Sequence, residues 1–376
     1  MSSFKFSLSG ISHFFQEKVN STYTSLSTMD PNDVLRERLR SSKSSSKIDN
    51  QIDKHAYHRD TINSLCALRN GMVISGSRDK RIVLNNCDTG DIASCWEIQN
   101  SEVTKVAYHN TAAKKHSVLS GGRDGSINMW LFNIPKPIKS FPNAHRMVVS
   151  GLVYRNDEEF VTGSRDGKTK LWNIETGKCI SDNSTSRNLI THMCNASFNL
   201  VGQSSEDKTV KLWDPRESTP VHTFPKKQHI QMHCEQIDEN CIASCSNGFN
   251  NDGCEITLYD IRAMKTLKEL RGHDGSVTCV APVYMNEQRK LLVSVGADKT
   301  LRLWRIDDGK LVWTEESPFE ADSLQCCCYS DGVVIISGGG GRLARYQCKY
   351  TAGRPCLDLI WVQKQHINTS SSNQQF

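Results

Sequence analysis

The chain alternates short apolar runs with polar turns, in a unit that recurs along most of its length. In each unit an apolar run leads to Ser or Gly and an Asp, and then to a segment in which apolar and polar residues alternate up to an aromatic residue. Three copies are nearly undisguised: VLSGGRDGSINMW (Val118 to Trp130), FVTGSRDGKTKLW (Phe160 to Trp172) and LLVSVGADKTLRLW (Leu291 to Trp304). The period-two alternation predicts β-strands, and the Asp-Gly and Asp-Lys pairs predict hairpin turns between them.

Four further copies complete the pattern. One is LVGQSSEDKTVKLW (Leu200 to Trp213), and three weaker copies end without tryptophan. The final positions of the seven copies are Asn85, Trp130, Trp172, Trp213, Tyr259, Trp304 and Tyr346. Their separations of 41 to 46 residues match the period of four-stranded propeller blades. Because stacked blades hide edges and faces that one blade leaves exposed, the sequence predicts an all-β, seven-bladed β-propeller over residues 55–362.

The outermost strand of the seventh blade has two possible sources. After Tyr346 the chain turns at Ala352, Gly353 and Pro355 and then enters CLDLIWV (Cys356 to Val362), which we expect to complete the blade. The alternative is a strand borrowed from the region just before His58.

The segments flanking the predicted propeller are polar. Residues 1–54 are rich in serine and are expected to be disordered or partly helical, with one short helix over 31–40 capped by Asp30. Residues 363–376 are expected to be a disordered tail. No apolar run reaches the length of a membrane-spanning helix, so we expect no membrane span.

Composition argues against several classes of function. The formal charge of +5 is modest and is not concentrated in one block, which argues against nucleic-acid binding. The 15 cysteines lack paired C-x-x-C spacing and are interpreted as reduced thiols of a cytoplasmic protein without a bound metal. Cys326, Cys327 and Cys328 are expected to be small buried hydrophobic residues. No phosphate-binding G-x-x-x-x-G-K-[ST] loop occurs, and no cofactor is predicted.

Residue types typical of a hydrolase triad occur in the sixth blade, where His273, Ser294, Asp298 and Trp304 lie at set offsets. The same offsets recur in the third blade, at His145, Thr162, Asp166 and Trp172, and in part in the first, at His58, Ser75 and Asp79. An active site is seldom repeated around a ring, whereas a structural device is. We therefore predict that the chain is not an enzyme.

These motifs resemble those of WD-repeat proteins over most of the chain. The resemblance implies that His273, Ser294, Asp298 and Trp304 form a hydrogen-bonded tetrad that fixes the blade. It also implies a protein-protein interaction scaffold, a monomeric propeller within a complex. Irregular stretches at 186–194, 224–235 and 245–260 resemble one family member in particular, which implies a link to the cilium or its base as an alternative location.

Three sets of residues are candidates for partner binding. Arg78, Arg123 and Arg165 precede the turn aspartates of three successive blades and would form an arc on one face, although local pairing with acids is an alternative. Arg216 and Arg262 end two W/Y-D-x-R boxes, which resemble those of receptors that dock on the adaptor of cullin-RING ubiquitin ligases; a simple turn is the alternative.

The third candidate is Phe249, at the tip of a fifth-blade insertion (SNGFNNDG) that we expect to be a flexible loop. An exposed aromatic side chain there could anchor a partner. The alternative is that the side chain folds back onto the blade.

Overall fold

The computed structural model describes residues 56–364, except 98, 111–115, 133, 185–188, 287–288, 320–321 and 352–353. The predicted N-terminal extension with its short helix lies outside the described residues, and so does the predicted tail from residue 365 onward. The expected turn at Ala352 and Gly353 also lies outside them.

The described residues form seven four-stranded antiparallel sheets, each built from four consecutive strands. We call the strands of each sheet a, b, c and d in chain order. Blades one to four consist of β1 (Ile62–Ala67), β2 (Met72–Ser77), β3 (Ile82–Asn86) and β4 (Ile92–Trp96); β5 (Val103–Asn110), β6 (His116–Gly122), β7 (Ile127–Leu131) and β8 (Lys139–Phe141); β9 (Val149–Tyr154), β10 (Glu159–Ser164), β11 (Lys168–Asn173) and β12 (Cys179–Ser184); and β13 (Ile190–Ala196), β14 (Leu200–Ser205), β15 (Val210–Trp213) and β16 (His222–Thr223).

Blades five to seven follow the same order. They consist of β17 (Gln231–Asp238), β18 (Cys241–Ser246), β19 (Ile256–Asp260) and β20 (Lys265–Leu270); β21 (Val277–Asn286), β22 (Arg289–Gly296), β23 (Thr300–Arg305) and β24 (Leu311–Glu316); and β25 (Leu324–Ser330), β26 (Val333–Gly338), β27 (Leu343–Thr351) and β28 (Arg354–Val362). A single 3-10 turn, Gly339–Gly341, joins β26 to β27.

The a strands form the inner ring of the molecule. Each a strand contacts the a strand of the next blade, and β25 of the last blade returns to contact β1. The b strands lie inside each sheet, and the two faces of the sheet pack against the neighbouring blades. Their residues are therefore buried on both faces, as in β2, β18 and β26. The d strands form the outer rim. Many of their residues are exposed to solvent, as in β12 and β24. The prediction of a seven-bladed β-propeller is confirmed.

The seventh blade is closed by the C-terminal strand. β28 pairs antiparallel with β27 from Ala344 opposite Val362 to Thr351 opposite Arg354. This confirms the predicted strand at Cys356 to Val362, which begins two residues earlier than expected, at Arg354. The alternative, a strand borrowed from the region before His58, is wrong for the described residues, because blade seven contains β25 to β28 alone.

Blades one and seven therefore meet without sharing a sheet. Polar contacts link them: the Arg345 guanidinium lies 2.8 Å from the Asp88 carboxylate, the Trp361 indole N–H donates to the Cys87 carbonyl at 3.0 Å, and the Asn70 N–H donates to the Asp331 carboxylate at 2.9 Å. An apolar cluster that includes Ile62, Val73 and Ile335, among others, lies between the two blades. Closure of the ring thus depends on side-chain packing across this joint.

Gly341 packs closely against the backbone that leads into blade one. Its φ is +74°, and a Cβ atom there would lie 2.6 Å from the carbonyl oxygen of His58 in blade one. Only glycine tolerates both the left-handed backbone and the contact. The glycine run Gly338 to Gly341 is thus a tight turn against blade one.

Candidate functional site

The antiparallel order of the strands divides the loops between two faces of the disc. The b–c turns and d–a connections lie on one face, which we call the bc face. The a–b and c–d turns lie on the opposite face, the ab face. Arg78, Arg123, Arg165 and Phe249 belong to b–c turns, whereas Arg216 and Arg262 belong to c–d turns. The candidate residues are thus divided between opposite faces.

The sixth-blade residues form one hydrogen-bonded chain. His273 Nδ1 lies 2.7 Å from the Asp298 carboxylate, and His273 Nε2 lies 2.7 Å from Ser294 Oγ. The Trp304 indole N–H donates to the same Ser294 oxygen at 2.8 Å. Ser294 is 0% exposed and Trp304 1%. The serine oxygen therefore faces an indole in the blade interior, where it holds β22 and β23 to the d–a connection.

Two other blades contain the same arrangement. In blade three, His145 bridges Asp166 and Thr162, and the Trp172 indole N–H donates to Thr162 Oγ1 at 2.9 Å. The serine hydroxyl is thus replaced by a threonine hydroxyl without a break in the chain.

Blade one completes its chain without tryptophan. His58 lies between Asp79 and Ser75, and the Asn85 side-chain amide donates to Ser75 Oγ at 2.9 Å. Asn85, which the sequence marked only as a weak end of a repeat, supplies the N–H that the indole supplies elsewhere.

The tetrad aspartates are held as carboxylates. Burial alone would raise the pKa of Asp298, but the hydrogen bond from His273 and backbone N–H groups lower it to about 2. The pKa of Asp166 is likewise lowered to about 2 by His145 against the effect of burial. A group with a depressed pKa stabilises the folded state above its unfolded pKa, and that stabilisation is lost as the pH falls through the folded value.

We therefore expect Asp298→Asn to lower the free energy of unfolding at pH 7 by about 2 kcal/mol. The difference from wild type should persist down to about pH 4 and shrink toward pH 2, where wild-type Asp298 is itself protonated. Chemical denaturation at stepped pH measures this. Asp252→Asn is the matched control, because Asp252 is an aspartate of the b–c loop of blade five whose side chain is 82% exposed. Equal, pH-independent losses in both variants would contradict the assignment.

The arginines of the arc on the bc face are paired with acids, Arg78 and Arg165 with an acid of the next blade and Arg123 with an acid of its own blade. Arg78 and Arg123 both contact Glu102, at 3.3 and 2.9 Å, and Arg165 contacts Glu206 at 2.7 Å. All three arginine side chains remain about half exposed. Glu206 occupies in blade four the position that arginine has in blades one to three, so an acid ends the arc. The three arginines are thus paired locally with acids, which was the alternative to a free arc. Their partners are glutamates and not the turn aspartates beside them.

The two W/Y-D-x-R boxes differ in how their arginines are held. Arg216 forms a bidentate pair with Asp214 of its own box, at 2.9 and 2.6 Å. Arg262 is exposed and has no hydrogen-bond or ion-pair partner among the described residues. In its box Asp260 instead accepts the backbone N–H of Ala263 at 2.7 Å. Arg262 is therefore the arginine whose donors are available to a partner.

The fifth-blade insertion is an ordered turn rather than the flexible loop expected from its composition. Phe249 and Asp252 exchange two backbone hydrogen bonds, and the Asn251 N–H donates to the Asp274 carbonyl at 3.2 Å. These bonds anchor the loop to the connection that enters blade six. The Phe249 side chain is 76% exposed, so it projects from the bc face and does not fold back onto the blade.

The family model described as WD domain, G-beta repeat, matches residues 135–173 and 264–305. These two segments are similar to WD40 repeats. Each contains the d strand of one blade and the a, b and c strands of the next, and ends one residue beyond Trp172 or Trp304. The WD40 repeats thus coincide with the two tetrads that end in tryptophan. WD-repeat proteins generally act as protein-interaction scaffolds.

Two curated proteins are similar to the chain in sequence. Over 281 residues the chain is 23% identical to WD repeat-containing protein srw1 of Schizosaccharomyces pombe, which covers 70% of this chain and 47% of the relative. It is 25% identical over 276 residues to Telomerase protein component 1 of Mus musculus, covering 68% of this chain and 10% of the relative. The chain therefore matches less than half the length of either relative.

A solved structure agrees in fold. The crystal structure of the WD40 beta propeller domain of Doa1 superposes with a TM-score of 0.63 at 25% identity, covering 77% of this chain and 92% of that chain.

One exposed aromatic residue on the ab face was missed by sequence reasoning. Phe198 is 64% exposed in the a–b turn of blade four, the blade that also carries Arg216. The signal in the sequence was an aromatic residue between two polar residues, Ser197 and Asn199, in a predicted turn.

The described residues contain no helix that is long and apolar enough to cross a membrane.

Proposed function

We propose that this chain is a non-catalytic scaffold that binds other proteins through the faces of its propeller. The observation that carries the proposal is Phe249, an aromatic side chain held 76% exposed on a hydrogen-bonded turn. A rigid exposed aromatic residue loses little conformational freedom on binding and is a frequent anchor of interfaces.

The buried tetrads support a non-catalytic role. Ser294, Ser75 and Thr162 are each 0% exposed and each accept an N–H from Trp or Asn inside a blade. A nucleophile must reach its substrate. These hydroxyl groups contribute instead to the rigidity of blades that present loops to a partner.

The proposal includes a cytoplasmic protein that acts as a single propeller, residues 55–362, within a larger complex. The three irregular stretches at 186–194, 224–235 and 245–260 resemble WD repeat-containing protein 31, and on that likeness we extend the proposal to the cilium or its base as an alternative location.

A second candidate function is a substrate receptor of a cullin-RING ubiquitin ligase. The observation that favours it is Arg262, which lies exposed at the end of its Y-D-x-R box with no partner among the described residues. Arg216 would have to exchange its bidentate contact with Asp214 for the adaptor. We therefore assign the larger share of any adaptor contact to Arg262.

Affinity capture with the tagged full-length chain tests both functions. If the chain is a receptor, the ligase adaptor is captured, Arg262→Ala reduces its capture at least about tenfold, and Arg216→Ala reduces it less. Lys310→Ala is the matched control, because Lys310 is an exposed cation in the corresponding c–d turn of blade six. Absence of the adaptor, or equal capture by all variants, excludes the receptor role and leaves the scaffold proposal to be judged on Phe249.

A further inference from the structure

The a strands of the seven blades enclose a central channel with a cavity of about 520 Å³. Its wall carries several groups that can ionise, contributed by different blades. These are Lys105 on β5, His192 on β13, His233 and Glu235 on β17, Cys279 on β21, and Cys327 on β25.

Cys279 and His233 are in direct contact within this wall. Cys279 Sγ lies 3.5 Å from His233 Nε2 and 3.6 Å from the carbonyl oxygen of Cys327. The His233 ring contacts His192 in a tilted arrangement with centroids 3.8 Å apart and an interplanar angle of 34°, and its Nδ1 has no hydrogen-bond partner among the described residues. His233 is 8% exposed, so this unpartnered nitrogen is buried at the edge of the channel.

The surroundings favour the thiolate of Cys279. A hydrogen bond from the Cys327 thiol and the adjacent His233 ring lower the pKa of Cys279 well below its ordinary value, against the effect of burial. Burial alone would lower the pKa of His233, but the facing Cys279 raises it. Burial raises the pKa of Glu235 to about 7. Its carboxylate therefore compensates the positive charge of Lys105 only at higher pH. The thiolate is the form of cysteine that reacts with electrophiles and peroxides.

We propose that Cys279 is a peroxide-reactive thiol in the central channel, with His233 as the proton donor to the leaving group. The substrate class is small hydroperoxides, including hydrogen peroxide, which fit the cavity. The Cys279 thiolate attacks one peroxide oxygen, so an S–O bond forms and the O–O bond breaks. The departing hydroxide, or the alkoxide of an organic hydroperoxide, takes the Nε2 proton of His233 and leaves as water or as the alcohol. Cysteine is oxidised to sulfenic acid and the peroxide is reduced.

Cys179 provides a reference within the same chain. It is the exposed cysteine on β12, and partial desolvation raises its pKa despite nearby Lys170. If exposure decided reactivity, Cys179 would react first. If the Cys279 thiol were neutral and bonded to the Cys327 carbonyl, it would also react more slowly than Cys179.

The test is a competition between these two thiols in the full chain. Protein is treated with hydrogen peroxide at pH 5 to 9, quenched with catalase and denatured, and the remaining thiols are alkylated and quantified by mass spectrometry. Trypsin places Cys279 alone in peptide 272–289 and Cys179 alone in peptide 179–187, so each is read separately.

We expect Cys279 to be oxidised at least about tenfold faster than Cys179 near pH 7, and the two to react alike in denaturant. His233→Gln should reduce the Cys279 rate about tenfold and move its pH profile upward, with Cys179 unchanged. His229 lies outside the channel wall, so His229→Gln is the control and should change neither rate. The wild-type pH profile decides the matter if His233→Gln fails to fold: half-maximal Cys279 reactivity above pH 8.5, or a Cys279 rate no faster than that of Cys179, overturns the proposal.

Discussion

Truncation after Lys349 should unfold the propeller or lower its melting temperature by more than about 10 °C. The truncation removes β28, which pairs with β27 along its whole length, and it exposes the apolar face that Cys356 and Leu357 cover. It also removes Trp361 from the joint with blade one. Each buried apolar side chain contributes about 1.5 to 3 kcal/mol, so the summed loss is a large part of a domain's stability.

The matched control is truncation after Lys364. This shorter deletion keeps β28 and the hydrogen bond from the Ala56 N–H to the Lys364 carbonyl, and it removes no described residue. Its melting temperature should stay within about 1 °C of wild type. Differential scanning calorimetry measures both variants. A propeller that melts normally without β28 would show that another segment completes blade seven.

Gly341→Ala should lower the free energy of unfolding by about 3 to 5 kcal/mol. Two costs add: an alanine in the left-handed region at φ +74°, and a Cβ that would lie 2.6 Å from the His58 carbonyl and 2.7 Å from that of Asp60. Both oxygens are backbone atoms of blade one, so the contact can be relieved only if the two blades separate. The variant therefore destabilises the contact between blades one and seven.

Gly340→Ala separates the two costs. Gly340 also has a positive φ, +68°, but the nearest atom to a Cβ there is an Asp322 side-chain oxygen at 3.8 Å. It should cost about 1 to 2 kcal/mol, from the backbone alone. Chemical denaturation of both variants measures the difference. Equal losses would mean that blades one and seven do not close against each other at Gly341.

Much of the fold could be predicted because its determinants are local. The turn aspartates and the strand-ending residues from Asn85 to Tyr346 recur at a period that fits a four-stranded blade, and the period-two alternation within each unit excludes helical repeats of similar length. The C-terminal strand was recognisable because CLDLIWV follows a turn. Its first two residues were missed, because Pro355 was assigned to the turn although it pairs with Tyr350.

Contacts between blades could not be predicted, because they depend on how repeats stack. Nothing local indicates that Glu102 of blade two receives both Arg78 and Arg123. Asn85 could not be identified as a substitute for tryptophan, because its amide reaches Ser75 only after β2 and β3 pair.

The same limit applies to the candidate sites. The sequence left Phe249 undecided between exposure and burial, since the answer depends on backbone bonds to Asp274 of the next blade. It could not separate Arg216 from Arg262, whose boxes match but whose aspartates bind different groups. The channel thiol was missed because Cys279 and His233 lie in different repeats and meet only when blades five and six stack.

Capture of partners by wild type and Phe249→Ala, compared by quantitative mass spectrometry, tests the scaffold function most directly. Ile180→Ala is the matched control, because Ile180 is an apolar residue 53% exposed on the rim, away from either face. We predict a reproducible set of captured proteins that Phe249→Ala loses and Ile180→Ala retains, with all three chains melting alike. Capture of no protein above the tag alone, or of the same set by Phe249→Ala as by wild type, would contradict the account.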